Sequence, residues 1–269
     1  MRLSVLKLMS MVLVVLAALV VFSARAETVV ENWTANRNSY DVHAVDPDRL
    51  VIESSQIGAD AKIAKFTVKP GDVFNKSTGE RSEVVLGGWQ ETSRFRVTGD
   101  EGIEFYRVTV KLASGWQAPQ INSRGYVWGT FFQLHGPNEF AAPPAIAMYA
   151  DDKFSLFVLG GNLNTQESKI ITFKKSDLNI GKWVDFVLEI KWARDSVGAI
   201  SVYRRDEDEK VWKKVANRKN LATMQYRGDP TASSHYWKTG FYRSESSNVN
   251  SLWLGPIVRG RTFKEVARD

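Results

Sequence analysis

Hydrophobic and polar residues alternate with period two along most of this chain, and ten segments carry the alternation far enough to predict β-strands. They are Ile63 to Val68, Ile103 to Lys111, Gly129 to His135, Ile146 to Ala150, Phe154 to Leu159, Trp183 to Trp192, Ala199 to Arg204, Val211 to Val215, His235 to Arg243 and Leu252 to Val258. Turn signals punctuate them at Pro70-Gly71-Asp72, Gly87-Gly88, Ser114-Gly115, Gly160-Gly161-Asn162, Asn179-Ile180-Gly181 and Ser196-Val197-Gly198. There is no βαβ rhythm, no internal repeat and no low-complexity stretch. Closely spaced strands of this kind predict an all-β sandwich of two antiparallel sheets.

The pattern breaks at the N-terminus. Arg2 and Lys7 precede an apolar run from Leu8 to Phe22, and Ala24-Arg25-Ala26 is an A-x-A cleavage site, so residues 1–26 read as a signal peptide. The expected mature chain, 27–269, is one domain, secreted or periplasmic, and monomeric. Without the leader, 33 Lys and Arg face 30 Asp and Glu, a mild positive charge. No basic block or nucleic-acid signature accompanies it, so the charge permits an acidic polymer and argues against nucleic acid. With no cysteine, stability must come from a core supplied by the chain's 9 Trp, 14 Phe and 8 Tyr, nearly all of which lie beyond the leader. The acidic run Asp206 to Glu209 reads as a solvated hairpin turn without metal-loop spacing.

Three predicted strands gather chemistry on one face. In Phe131-Phe132-Gln133-Leu134-His135, alternation puts Phe131, Gln133 and His135 on one side and Phe132 and Leu134 on the other. In Arg81-Ser82-Glu83-Val84, Arg81 and Glu83 share a side. In Tyr236 to Arg243, Tyr236, Lys238, Gly240 and Tyr242 oppose Trp237, Thr239 and Phe241. Taken singly, each motif is an ordinary sheet surface or ion pair. Side by side, they make a polar groove with cations, an amide, an imidazole and phenols.

These three motifs, R-S-E-V, F-Q-L-H-G and Y-W-K-T-G-F-Y-R, resemble the signature strands of the jelly-roll polysaccharide lyases. Alginate lyases of that fold are similar in R-[ST]-E-[LV], Q-[IV]-H and Y-F-K-x-G-x-Y. The heparinase-I-like group is more similar, through F-Q-x-H-G, a following segment with Pro137, Pro143 and Pro144, and K-x-G-x-Y-R. Arg243-Ser244 stands where the alginate pattern has Asn and Gln. The resemblance implies a β-jelly-roll with a concave substrate groove and cleavage of a uronate glycan by β-elimination.

That reaction removes a C5 proton α to a carboxylate, so the carboxylate must be neutralised while a base and an acid act. Arg81 and Gln133 suit the neutralising role, His135 the base and Tyr242 the acid. In lyases that this chain resembles, the Tyr serves as both base and acid when the groups are syn, and the sequence leaves both mechanisms open. Lys238, Glu83 and Tyr236 complete the substrate-binding set. No metal ligand set or cofactor emerges, and calcium assistance is left open. His43 and His235 read as structural or surface imidazoles. Two rivals stand beside this reading: a non-catalytic glycan-binding module of the same fold, and a sandwich glycoside hydrolase. The second lacks the paired carboxylates it would need.

Overall fold

The computed structural model describes residues 28–33, 40–54, 61–86, 95–97, 102–136, 143–229 and 234–267. The leader read at 1–26 and the turn at Gly87-Gly88 lie outside the described residues. Eighteen strands and little helix make up the described fold. The first nine strands are β1 (Val29–Glu31), β2 (Tyr40–Ala44), β3 (Leu50–Ser54), β4 (Lys62–Val68), β5 (Glu80–Leu86), β6 (Ile103–Leu112), β7 (Gly129–His135), β8 (Ile146–Ala150) and β9 (Phe154–Val158). The rest are β10 (Gly161–Asn162), β11 (Lys169–Thr172), β12 (Trp183–Lys191), β13 (Ala199–Asp206), β14 (Lys213–Lys219), β15 (Gln225–Tyr226), β16 (Tyr236–Arg243), β17 (Asn250–Leu254) and β18 (Ile257–Gly260). A short capped helix, α1 (Phe263–Val266), follows.

Two large antiparallel sheets face each other, as the jelly-roll reading requires. One has seven strands in the order β11-β9-β8-β7-β16-β5-β2; the other has nine, built on β14-β13-β12-β6-β17-β4-β3 with β18 and β1 attached through β6. Alternation decides which side chains meet between them. Phe66 and Leu252 from the nine-stranded sheet, and Phe132, Leu134, Trp237 and Phe241 from the other, are fully buried in one core. The edge-to-face pair Tyr106–Trp237 at 5.1 Å ties the two sheets together, and Phe132–Trp237 at 5.0 Å braces neighbouring strands of one of them. Truncating such a ring to Ala typically costs about 3–5 kcal/mol, which indicates how this cysteine-free chain is held.

Three expectations need correction. Leu252 to Val258 is two strands, broken at Gly255-Pro256 where proline cannot donate to the ladder. Val211 to Val215 begins its strand only at Lys213, after the turn ends. The acidic run is not a simple solvated turn. Asp206 is buried against Arg204 and Lys175, and Glu209 bridges Lys175 and Lys213.

Candidate active site

The groove is laid out by cross-strand rows on the outer face of the seven-stranded sheet. One row runs Arg81–Tyr242–Thr130–Tyr149 across β5, β16, β7 and β8. The next runs Val85–Lys238–Gln133–Ala147–Phe157, reaching β9. Tyr236 pairs with His135 in a third. Two of the three motif strands, β7 and β16, are bulged at this point. Thr130 and Phe132 face Tyr149 and Met148, so Phe131 is the additional residue on β7. Its ring is consequently turned into the core, against Phe154 at 5.8 Å. Phe131 therefore does not share a face with Gln133 and His135, as strict alternation predicts.

Arg81, Gln133, His135, Lys238 and Tyr242 all line one cleft of about 930 Å³. Arg81 and Lys238 are its only charged lining residues among those described. Tyr149, Phe157, Leu159, Ile170, Pro143 and Pro144 form its apolar side. Beneath the polar side lies Glu83, only 1 % exposed. Lys238 Nζ donates to its Oε2 at 2.9 Å, Arg81 reaches the same oxygen at 3.4 Å, and Gln133 Nε2 donates to Oε1. Burial pushes the Glu83 carboxyl up, but Lys238 and Arg81 outweigh it and hold the group below its ordinary value. Burial also lowers Lys238, against the pull of Glu83. Two cations around one ionised carboxylate leave one positive charge facing the cleft.

His135 sits beside that charge. Burial, then Lys238, pushes its imidazole down to about 4, so it is neutral at neutral pH. Its Nδ1 lies 3.2 Å from the Gly136 carbonyl oxygen. With the hydrogen on Nδ1, Nε2 keeps a free lone pair, the form a base requires. The ring stacks on Tyr236 at 5.1 Å, and the Arg96 guanidinium lies 5.1 Å from the same Tyr236 ring. Tyr236 is 5 % exposed and does not line the cleft; it supports His135 from below. Glu83 likewise sets the groove residues from underneath. Neither Glu83 nor Tyr236 lines the cleft.

Tyr242 is fixed on three sides. The Arg81 guanidinium lies 3.9 Å from its ring centroid, the Trp128 ring packs at 5.6 Å, and its hydroxyl meets Thr78 Oγ1 at 3.0 Å. Thr78 and Trp128 lie outside the regular strands, so period-two reasoning passed over them. His43 does not line this cleft. It stands on β2 opposite Glu83, with Asp41 at 3.0 Å and Phe74 stacked at 5.0 Å, and burial lowers its pKa. His235, by contrast, is fully buried; its Nε2 accepts the Gln225 backbone N–H at 2.9 Å, and burial pushes it down to about 3. Among the described residues no cluster of His, Asp and Glu could hold a metal ion.

A family model described as polysaccharide lyase matches residues 29–257. No curated protein matches the chain. Among solved structures, the endo-β-1,4-glucuronan lyase from the fungus Trichoderma reesei is 18 % identical, with TM-score 0.52 over 91 % of this chain and 94 % of that one. The marine PL-14 alginate lyase from Aplysia kurodai is 7 % identical, with TM-score 0.54 over 88 % of this chain and 99 % of that one. A GH131 β-glucanase catalytic domain from Podospora anserina is 14 % identical, with TM-score 0.52 over 84 % and 88 % of the two chains. Identities this low show a common two-sheet fold alone, and that fold also carries hydrolases.

Proposed function

The chain belongs to the polysaccharide lyase family, and from that premise we propose that it is an exported, monomeric enzyme that cleaves a uronic-acid-containing glycan by β-elimination. The observation that carries the proposal is the Glu83 cluster: a cleft with one uncancelled positive charge, set beside a neutral imidazole and a phenol. A uronate carboxylate placed there meets Arg81, Lys238 and the second N–H of Gln133, whose first is given to Glu83. Neutralisation makes the C5 proton acidic and stabilises the charge that develops when it leaves. His135 Nε2 takes that proton. The electron pair forms the C4=C5 double bond as the C4–O bond breaks, and the Tyr242 hydroxyl protonates the departing oxygen. These steps draw on side chains alone.

A second mechanism has one specific observation in its favour. The Arg81 guanidinium 3.9 Å from its ring and Thr78 at its hydroxyl hold Tyr242 in one place in the cleft, so the same side chain can act first as base on the C5 proton and then return it as acid. The two mechanisms separate by mutation. With His135 as base, His135→Ala lowers turnover by about two to four orders of magnitude while glycan binding persists. With Tyr242 in both roles, Tyr242→Phe abolishes elimination and His135→Ala is the milder change.

The F-Q-L-H-G and K-T-G-F-Y-R segments support a heparinase-I-like reading within this proposal, and the likeness to a glucuronan lyase makes unbranched polyglucuronate a second substrate to try. The deciding experiment follows ultraviolet absorbance of the unsaturated product over alginate, glucuronan and heparin-type polymers. Absorbance rising on any of them supports the proposal. Binding without product from every uronate polymer would leave the glycan-binding module as the better reading.

A further inference from the structure

The nine-stranded sheet carries a second row that the cleft does not use. Across β3, β4, β17, β6 and β12 the paired positions read Val51–Lys65–Trp253–Lys111–Trp183. Their neighbours along the strands, among them Phe66, Leu252, Val110 and Val184, are in the core, so the row faces outward on the side of the molecule opposite the cleft. Lysine and tryptophan therefore alternate across four adjacent strands.

The two lysines have aromatic partners. Lys65 Nζ lies 5.3 Å from the Trp253 ring centroid, and Lys111 Nζ lies 5.9 Å from that of Trp183. Among the described residues neither ammonium has a carboxylate within ion-pair distance. Lys175, Lys182, Lys213 and Lys238 all do. Two acids lie beside the row without pairing with either lysine: Glu53 accepts the Trp253 indole N–H at 3.0 Å, and Asp185 is held by Arg205 at 2.7 Å. A ring positions an ammonium without cancelling its charge, whereas a carboxylate cancels it. Across β17, the two lysines sit two strand spacings apart, ~10 Å. That span suits the carboxylates of alternate sugars in a linked uronate chain, whose intervening pyranose can lie on the Trp253 ring edge.

We propose that this row is a second glycan-binding surface, which holds an acidic polysaccharide on the face opposite the catalytic cleft. The choice of an acidic glycan rests on the lyase reading above. The charge and the half-exposed aromatics do not depend on it. Such a surface keeps the enzyme on a polymer between cuts without taking part in the cuts themselves.

The test separates the two faces. Tyr242→Phe, which leaves the polymer intact, is run in native gels cast with alginate, glucuronan or a heparin-type polymer, with and without Lys65→Gln and Lys111→Gln. The expected result is retardation on at least one polymer, weakened by roughly 2- to 30-fold when both lysines are replaced. In the active background, the same double replacement should leave turnover of a short oligosaccharide unchanged and raise KM on the polymer. Unaltered retardation of a folded double variant, or no retardation of the Tyr242→Phe protein on any polymer, overturns the second surface. Lysine-dependent retardation in a protein that yields no unsaturated product would instead uphold the surface and sink the lyase mechanism.

Discussion

Glu83 shows how one side chain holds a site it does not line. Its two oxygens take Lys238, Arg81 and Gln133, groups from three strands. Replacing it by Gln leaves two cations facing each other in a buried space, and the loss of one partner of a buried pair typically costs about 3–5 kcal/mol. Glu83→Gln should therefore lower stability by that order in urea denaturation, with activity falling alongside. A loss under ~1 kcal/mol, the range of surface pairs, would show that water reaches the cluster. The alternation of Arg81 and Glu83 was legible in the sequence; that Glu83 lies beneath the groove and Arg81 in it was not, because period two fixes a face and not a depth. Phe131 was misplaced for a different reason, since a bulge shifts the period without any Gly or Pro to announce it.

At the level of elements, β16 determines the site. It pairs with β5 and β7 at once, and Gly240 takes a φ of 135° where its register against β7 slips by one residue. A β-carbon there would lie 2.4 Å from the Ser82 carbonyl oxygen and 2.6 Å from Glu83 Cα. Gly240→Ala should accordingly push β16 away from β5. The expected cost is about 1–3 kcal/mol of stability, read by thermal denaturation, with a fall in turnover beyond what the unfolded fraction explains. Full activity in a folded Gly240→Ala protein would mean that the Lys238 and Tyr242 positions tolerate more freedom than their contacts suggest. Long strands such as β6, β7, β12 and β16 were readable because their alternation persists and their inward residues are large. The short edge strands β2, β3 and β11 were not, because their burial is set by neighbours distant in sequence.

Taken whole, the molecule buries imidazoles in the neutral form. Burial lowers His43, takes His135 from 6.5 to about 4, and takes His235 from 6.5 to about 3. In the window between 6.5 and 4 the unfolded chain binds protons at these sites that the folded chain refuses, so stability falls as pH is lowered. Glu83 adds to the loss below the ordinary carboxylate range, because its folded pKa is depressed. Asp151 acts in the opposite direction, since burial raises it to about 7, and offsets part of the slope. Urea midpoints measured from pH 7 to pH 4 should decline. A flat or rising series would mean that water relieves these burials. The Glu83–Lys238 bond has one further consequence, in time instead of space. It joins residues 155 positions apart, so at ~5–20 residues per second the ribosome delivers Glu83 roughly 8–30 s before Lys238. Until β16 emerges, β5 and β7 are open edges with nothing between them, and a chain stalled before Tyr236 offers both to any neighbouring strand.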